Sequence, residues 1–309
     1  MKDNNKFRLD MWGIITLCIV AVYVLFLIYP MAHLMRQSVY DATTGRFTLE
    51  NFAKFFSKSY YFDTLLNSFK VSIAATVLSI SIGTPLAYLF SIFKIRGKAV
   101  LNILIVVASM SAPFIGAYSW ILLLGRSGVI TGFFRMLGVT LPDIYGFGGI
   151  VLVMSLQLFP LVFLYARGAL KNIDNSLLEA ARNLGCSGLR CFFKVVVPLI
   201  LPTLLAASLL VFMRSFADFG TPMLIGEGYR TFPVVLYTEF INEVGGNDGF
   251  AAAIAIIAIV ITTVVFLVQK YISNKKAFAL NALHPIEEKA PKGAAKVLTY
   301  LFSYLVVAI

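Results

Sequence analysis

This chain first of all lacks catalytic signatures. It has no GxxxxGK[ST], so its backbone cannot cradle a nucleotide in a P-loop, and it has no HExxH, GxSxG or CxxC. Its two histidines, His33 and His284, stand at opposite ends of the apolar region. Its three cysteines, Cys18, Cys186 and Cys191, offer neither a disulfide framework nor a metal-ligand spacing. These absences point away from an enzyme and from a bound cofactor or metal. Charge is also scarce. Only 13% of residues are charged against 59% hydrophobic, and the mean hydropathy is +0.86, far too apolar for a soluble globule and right for a polytopic membrane protein. Acid is scarcer than base, 15 residues against 26. The basic excess falls at the ends of apolar runs and does not interleave with aromatics on one face. Membrane topology explains it, and nucleic acid is not implied as a partner.

What is present is a series of long apolar runs, giving an all-α fold with six transmembrane helices. The runs are Trp12 to Tyr29, Asn67 to Phe93, Ala99 to Leu124, Ile150 to Tyr165, Leu199 to Phe219 and Phe250 to Val268. The first is stopped by Pro30. It is longer than a signal-peptide core and no small-x-small site follows, so it reads as a retained helix. Pro113 is expected to kink the third run. Lys70, at the start of the second, can snorkel to the interface. Between the runs lie a polar and aromatic stretch with a short interfacial helix, FTLENFAKFF, and a glycine-rich amphipathic excursion over 125–149. A third connection, 223–249, carries Glu227, Glu239, Glu243 and Asp248 against Arg230. The N-terminus, the Lys94-Ile95-Arg96-Gly97-Lys98 turn, the region from Arg167 to Lys194 and everything from Lys270 onward hold basic residues roughly two to one over the other side. That side, with the N-terminus, should be cytoplasmic.

By organisation, residues 1–66 form an N-terminal helix and outer segment, 67–273 the membrane core, and 274–296 a charged cytoplasmic linker. The apolar stretch 297–309 is shorter than the ~20 residues of a spanning helix. It is either an interfacial stub or, as we expect, the start of a seventh helix opening a second half. In the fifth run Arg214 and Asp218 are four apart and share a helix face, where an ion pair would offset the cost of charge near lipid. Gly220-Thr221-Pro222 then breaks the helix, and irregular backbone at membrane depth is tolerated only against protein or a wet cavity. Pro113, Arg214, Asp218, Gly220, Thr221 and Pro222 are therefore candidates for lining a path.

The segment out of keeping with its surroundings is NSLLEAARNLGCSGLRCFFKVVVP, Asn175 to Pro198, inside the loop 172–198. Its charges, Glu179, Arg182, Arg190 and Lys194, keep it out of lipid. Ser176 followed by Glu179 reads as a capping box, starting a helix at Leu177, and Gly185 supplies its stop. So short a helix is marginal in water alone. Its small apolar surface, Leu177, Leu178, Ala180, Ala181 and Leu184, reads as a plug for another protein's groove.

Glu179-Ala180-Ala181, Gly185 and Pro198 stand at the spacing of a known pattern, EAA, three residues, Gly, nine residues, Ile, one residue, Leu-Pro. Here valines at 195 and 197 replace Ile and Leu. The segment resembles the EAA loop of ABC-importer permease subunits. SAPFIGAYSWILLLGRSGVIT, IYGFGGIVLV and FADFGTPMLIGEGYRTFPVVLY further resemble the ferric-iron group, and the likeness covers most of Ser68 to Lys270. The resemblance implies the type I ABC importer permease fold in the inner (cytoplasmic) membrane. It also implies a non-catalytic subunit working by alternating access, with Glu179, Ala180, Ala181, Leu184, Gly185 and Pro198 coupling it to a partner. The implied partners are a dimeric ATP-binding subunit that uses ATP and Mg, an extracytoplasmic substrate-binding protein, a second permease half in the same full-length chain, and membrane lipid. Ferric iron is the implied cargo. Aminoethylphosphonate, thiamine, polyamine and sulfate permeases share much of the pattern. From another class, an ion-coupled secondary transporter would need mid-membrane acidic or histidine residues, of which only Asp218 is clear, and a membrane scaffold or sensor would leave the loop free for other proteins.

Overall fold

Phe147–Lys171 spans 25 residues, long enough at about 1.5 Å per residue to cross the ~30 Å of a bilayer core, and more than half of its apolar window is buried. The structure, a computed structural model, describes residues 11–40, 46–110, 112–186, 188–241, 248–275, 290–291 and 293–308. In chain order the helices are α1 (Met11–Tyr23), α2 (Tyr29–Val39), α3 (Glu50–Ser57), α4 (Ser59–Ile92), α5 (Lys98–Ser109), α6 (Pro113–Leu124), α7 (Val129–Met136) and α8 (Phe147–Lys171). They continue with α9 (Asn175–Asn183), α10 (Gly188–Cys191), α11 (Val197–Ala217), α12 (Gly220–Ile225), α13 (Phe232–Ile241), α14 (Asp248–Lys275) and α15 (Gly293–Ala308). Among the described residues no strand forms, and six helical stretches are long and apolar enough to cross a membrane.

Three expectations from the sequence need correction. Pro30 does not stop the first run. A π-helical turn, Val24–Ile28, joins α1 to α2, with the Tyr29 amide reaching back to the Val24 carbonyl. Pro30 follows just after that π turn, and the helical stretch continues from Met11 to Val39. Pro113 does not kink the third run but divides it. Ala112 is extended, as the residue before a proline prefers, and Pro113 starts a new helix. Of the stretches long and apolar enough to cross a membrane, the third is Pro113–Met136, two helices parted at 125–128 that take in part of the glycine-rich excursion, and α5 is a separate, shorter apolar helix. The charged linker begins later than expected, since α14 stays helical to Lys275. Most of that linker lies outside the described residues.

The chain divides into two compact units, Met1–Phe62 with Leu236–Ile261, and Asp63–Val235 with Thr262–Ile309. In the first, the expected interfacial helix is α3, and Phe55 stacks on Tyr61, which meets Phe250 edge-on at 4.9 Å. The Tyr61 hydroxyl donates to Glu239, and the Lys54 ammonium lies 4.2 Å from the Phe250 ring centroid. None of the side chains of α1 is buried.

The second unit is built on α8, which packs against α11 and α5. Its core joins Leu86 and Phe90 of α4, Phe163 and Leu170 of α8, Val196 just before α11 and Ile200 in its first turn. Phe90 and Phe163 meet edge-on at 5.3 Å. Gly83 makes the α4–α8 approach possible. A Cβ there would stand 2.8 Å from the Phe159 carbonyl oxygen and 2.9 Å from the Val162 Cβ, so only hydrogen fits. The apolar stretch near the end of the chain forms α15, with Thr299, Ser303 and Val306 buried, and the Tyr304 hydroxyl donates to the Arg96 carbonyl at 2.7 Å.

Candidate functional site

Asp174, not Ser176, caps the short helix of the loop. The chain is extended at Asp174, and its carboxylate accepts the Ser176 amide at 2.9 Å. Aspartate at this position is as good a cap as serine. With Ser176 already inside the first turn, Glu179 cannot close a capping box, and it accepts instead from the Asn175 side-chain amide at 2.7 Å. The helix ends as its glycine demands. Gly185 adopts φ +79, its amide bonds the Arg182 carbonyl at 2.9 Å, and the Cys186 amide bonds the Ala181 carbonyl at 3.0 Å, which together make a Schellman turn.

This helix has two faces. Leu178 is 1% exposed and joins Ile173 and Leu170 in the main core, with Ala181 packed against it. The other face is open, with Leu177 and Ala180 exposed and Leu184 at 88%. Past the turn, Leu189 and Phe193 are also exposed. Ser187, at the turn, lies outside the described residues. What the sequence did not reveal is the continuity beyond it. From Gly188 a single helical stretch runs to Ala217 through a π turn, Phe192–Val196. Pro198 lies in the first turn after that π segment, inside the unbroken stretch. The Phe192 ring, 4.7 Å from Tyr88, ties this stretch to α4.

Four of the six residues proposed for a path come together around one cavity of about 490 Å³: Pro113, Arg214, Asp218 and Gly220. Thr221 and Pro222 are buried beside it in α12. The expected ion pair does not form. The helix stops at Ala217, Asp218 turns extended, and its carboxylate caps the next short helix. It accepts the Gly220 amide at 2.9 Å, the Thr221 amide at 3.3 Å and the Thr221 hydroxyl at 2.7 Å. Arg214 remains exposed, and among the described residues no ion pair links it to Asp218. The i, i+4 rule fails here because it presumes a helix that persists through both residues.

Sequence reasoning missed Phe114 and Gln157 on the cavity wall, where Phe219, inside the helix break after Asp218, also stands. Phe114 and Phe219 meet edge-on at 5.2 Å, and a Cβ on Gly220 would press on the Phe114 ring at 3.3 Å. Gln157 carried a readable signal, a lone amide within an apolar run. At another point of this unit Arg126 forks between Asp143 and Glu227, 3.0 Å from each, so Glu227 of the acidic connection is already paired. Glu227 holds φ +50, a conformation that few side chains adopt.

Against known proteins, the sequence profile described as "Binding-protein-dependent transport system inner membrane component" matches residues 68–277. The chain is 27% identical over 265 residues to the ferric transport system permease protein FbpB of Actinobacillus pleuropneumoniae, covering 84% of this chain and 38% of that one. It thus spans about two fifths of the length of the ferric permeases it matches. It is 32% identical over 216 residues to the molybdenum transport system permease protein ModB of Escherichia coli K12, covering 68% of this chain and 92% of that one. Among solved structures, a bacterial alginate ABC transporter, in complex with an alginate pentasaccharide-bound periplasmic protein, shares the fold. Its TM-score is 0.70 at 15% identity, over 86% of this chain and 94% of that one.

Proposed function

The chain belongs to the family of binding-protein-dependent transport system inner membrane components, and from that premise we propose that it is the membrane-spanning permease of an ATP-driven importer. The observation that carries this reading is the two-faced helix α9. One side is locked into the core through Leu178, and the other presents Leu177, Ala180 and Leu184 with nothing of this unit over them. An exposed apolar knob of this kind is a surface for a partner. On this reading a dimer of separate ATP-binding subunits, using ATP and magnesium, grips the knob, and this chain catalyses nothing itself. Glu179, Ala180, Ala181, Leu184 and Gly185 form the grip. The unbroken helix from Gly188 to Ala217, with Pro198 in its first turns, carries the motion to the cavity wall at Arg214.

Alternating access to that cavity then moves cargo delivered by a separate binding protein, working with a second permease half. The alginate transporter of the same fold was solved with a periplasmic protein bound, which supports the binding-protein part of this scheme. The α9 knob and the N-terminus face the cytoplasm, in keeping with the distribution of basic residues. Ferric iron is the proposed cargo, supported by the ferric permease relative. A molybdenum species is the second reading, favoured by a relative of higher identity that is matched over nearly its whole length. The test is co-expression with candidate ATP-binding subunits, followed by purification through this chain alone. An ATPase should co-purify with the unaltered chain and be lost with Leu184→Asp, while membrane insertion persists. Equal recovery from both forms would remove the coupling role.

A further inference from the structure

The cavity beside α11 has one cationic and one anionic side chain on its wall, Arg214 and Asp218, and they stand in unlike settings. Its polar wall groups are Ser109, Gln157, Arg214 and Asp218. Ser109 has committed its proton to the Val106 carbonyl at 2.6 Å. Asp218 has both carboxylate oxygens occupied, Oδ1 by the Gly220 and Thr221 amides and Oδ2 by the Thr221 hydroxyl, the last residue fully buried. Its acceptor oxygens are thus turned to protein donors and are not offered to a passing cation. Arg214 differs: it is exposed on the wall, and among the described residues no carboxylate pairs with it. A guanidinium stays charged at any physiological pH and has five N–H donors in a fixed fork suited to oxyanions and carboxylates. In a partly apolar cavity such a charge attracts anions and repels cations more strongly than it would in water.

We propose that this cavity selects for negative charge through Arg214, so that the cargo passes it as an oxyanion or as a metal ion held in an anionic chelate, not as a free cation. The inference rests on the permease reading for what passes through, but the charge preference of the cavity can be measured without knowing the cargo. For ferric iron it means passage with anionic ligands still attached. For a polyamine it predicts exclusion.

The measurement uses Ala217, an exposed residue of the same wall, as the reporter. Ala217→Cys is made in the full chain with Cys18, Cys186 and Cys191 replaced by serine, purified with its ATP-binding partner where one is retained. Modification rates are compared for the anionic thiol reagent MTSES and the cationic reagent MTSET. The anionic reagent should react faster relative to a free thiol in solution. The ratio should fall about tenfold or more with Arg214→Gln and recover with Arg214→Lys. A ratio that does not respond to Arg214, a preference for the cation, or failure of either reagent to reach the thiol would each overturn the proposal. Recovery of the ATP-binding partner reports separately on the permease reading. A retained partner with an indifferent ratio sinks the anion preference alone, and a missing partner with an Arg214-dependent ratio sinks the permease reading alone.

Discussion

The hydroxyl of Thr221 donates to the carboxylate of Asp218 at 2.7 Å, and that bond holds the corner between α11 and α12 against the cavity. Three donors converge on this one carboxylate, two of them from the fully buried Thr221. Asp218→Ala leaves all three without an acceptor, and each unsatisfied buried group costs about 1–3 kcal/mol. We expect a clear drop in the melting temperature of the detergent-purified chain. Asp218→Asn keeps one acceptor oxygen and should lose much less. If alanine and asparagine melted alike, the corner would not depend on this cap.

The Schellman turn at Gly185 allows a second comparison. A Cβ there would meet nothing within 4 Å, so substitution costs come from the backbone at φ +79 and not from crowding. A left-handed backbone costs most side chains about 1–2 kcal/mol, and asparagine less. Gly185→Val should therefore unwind the end of α9 and weaken recovery of an ATP-binding partner severalfold, with Gly185→Asn intermediate. Gly185→Asp adds a charge to the apolar knob and should stop uptake while leaving insertion intact. Protease protection of the loop, compared across the three variants, checks the structural half of this prediction.

How much of this was legible in the sequence varied with the range of the interaction. The presence of six long apolar stretches and the stop at Gly185 followed from local composition and breakers, and Pro113, Arg214, Asp218 and Gly220, picked out by the same signals, line one cavity. The Arg214–Asp218 ion pair failed because periodicity cannot say that the helix stops at Ala217, one residue before the acid. The capping box failed because Asp174, Ser176 and Glu179 offer two chemically sound caps, and the turn at Asp174 decided between them. Pro30 and Pro198 looked like boundaries, yet each sits just after a π turn, a backbone feature with no residue signature of its own. The pairing of Phe114 with Phe219 was out of reach because it joins segments far apart in the chain.

Gly83 carries a prediction about packing. Its missing Cβ lets α4 approach the backbone of α8 at the Phe159 carbonyl. Gly83→Val should cost about 1–3 kcal/mol as an overpacking change, read as a lower melting temperature and poorer yield from the membrane. Because the nearest atom belongs to the backbone, trimming the neighbour with Val162→Ala should restore only part of the loss. Full rescue by Val162→Ala would mean that the side-chain contact, and not the helix approach, sets the cost.

The side of the membrane that α9 faces can be settled by one exposed position. Leu184 is 88% exposed at the end of α9, so a cysteine there should react without disturbing the fold. Met136, at the end of α7, is 89% exposed and belongs to the stretch read as lying on the outer side, which makes it the control. In chains whose native cysteines are replaced by serine, a membrane-impermeant maleimide should label Met136→Cys in cells with a permeabilised outer envelope. It should reach Leu184→Cys only after the inner membrane is broken. Addition of purified ATP-binding subunit to inside-out vesicles should then slow labelling at Leu184→Cys several-fold and leave Met136→Cys untouched. Labelling of Leu184→Cys from outside intact inner membranes would put the knob where no ATP is available and would remove the basis for coupling to an ATPase.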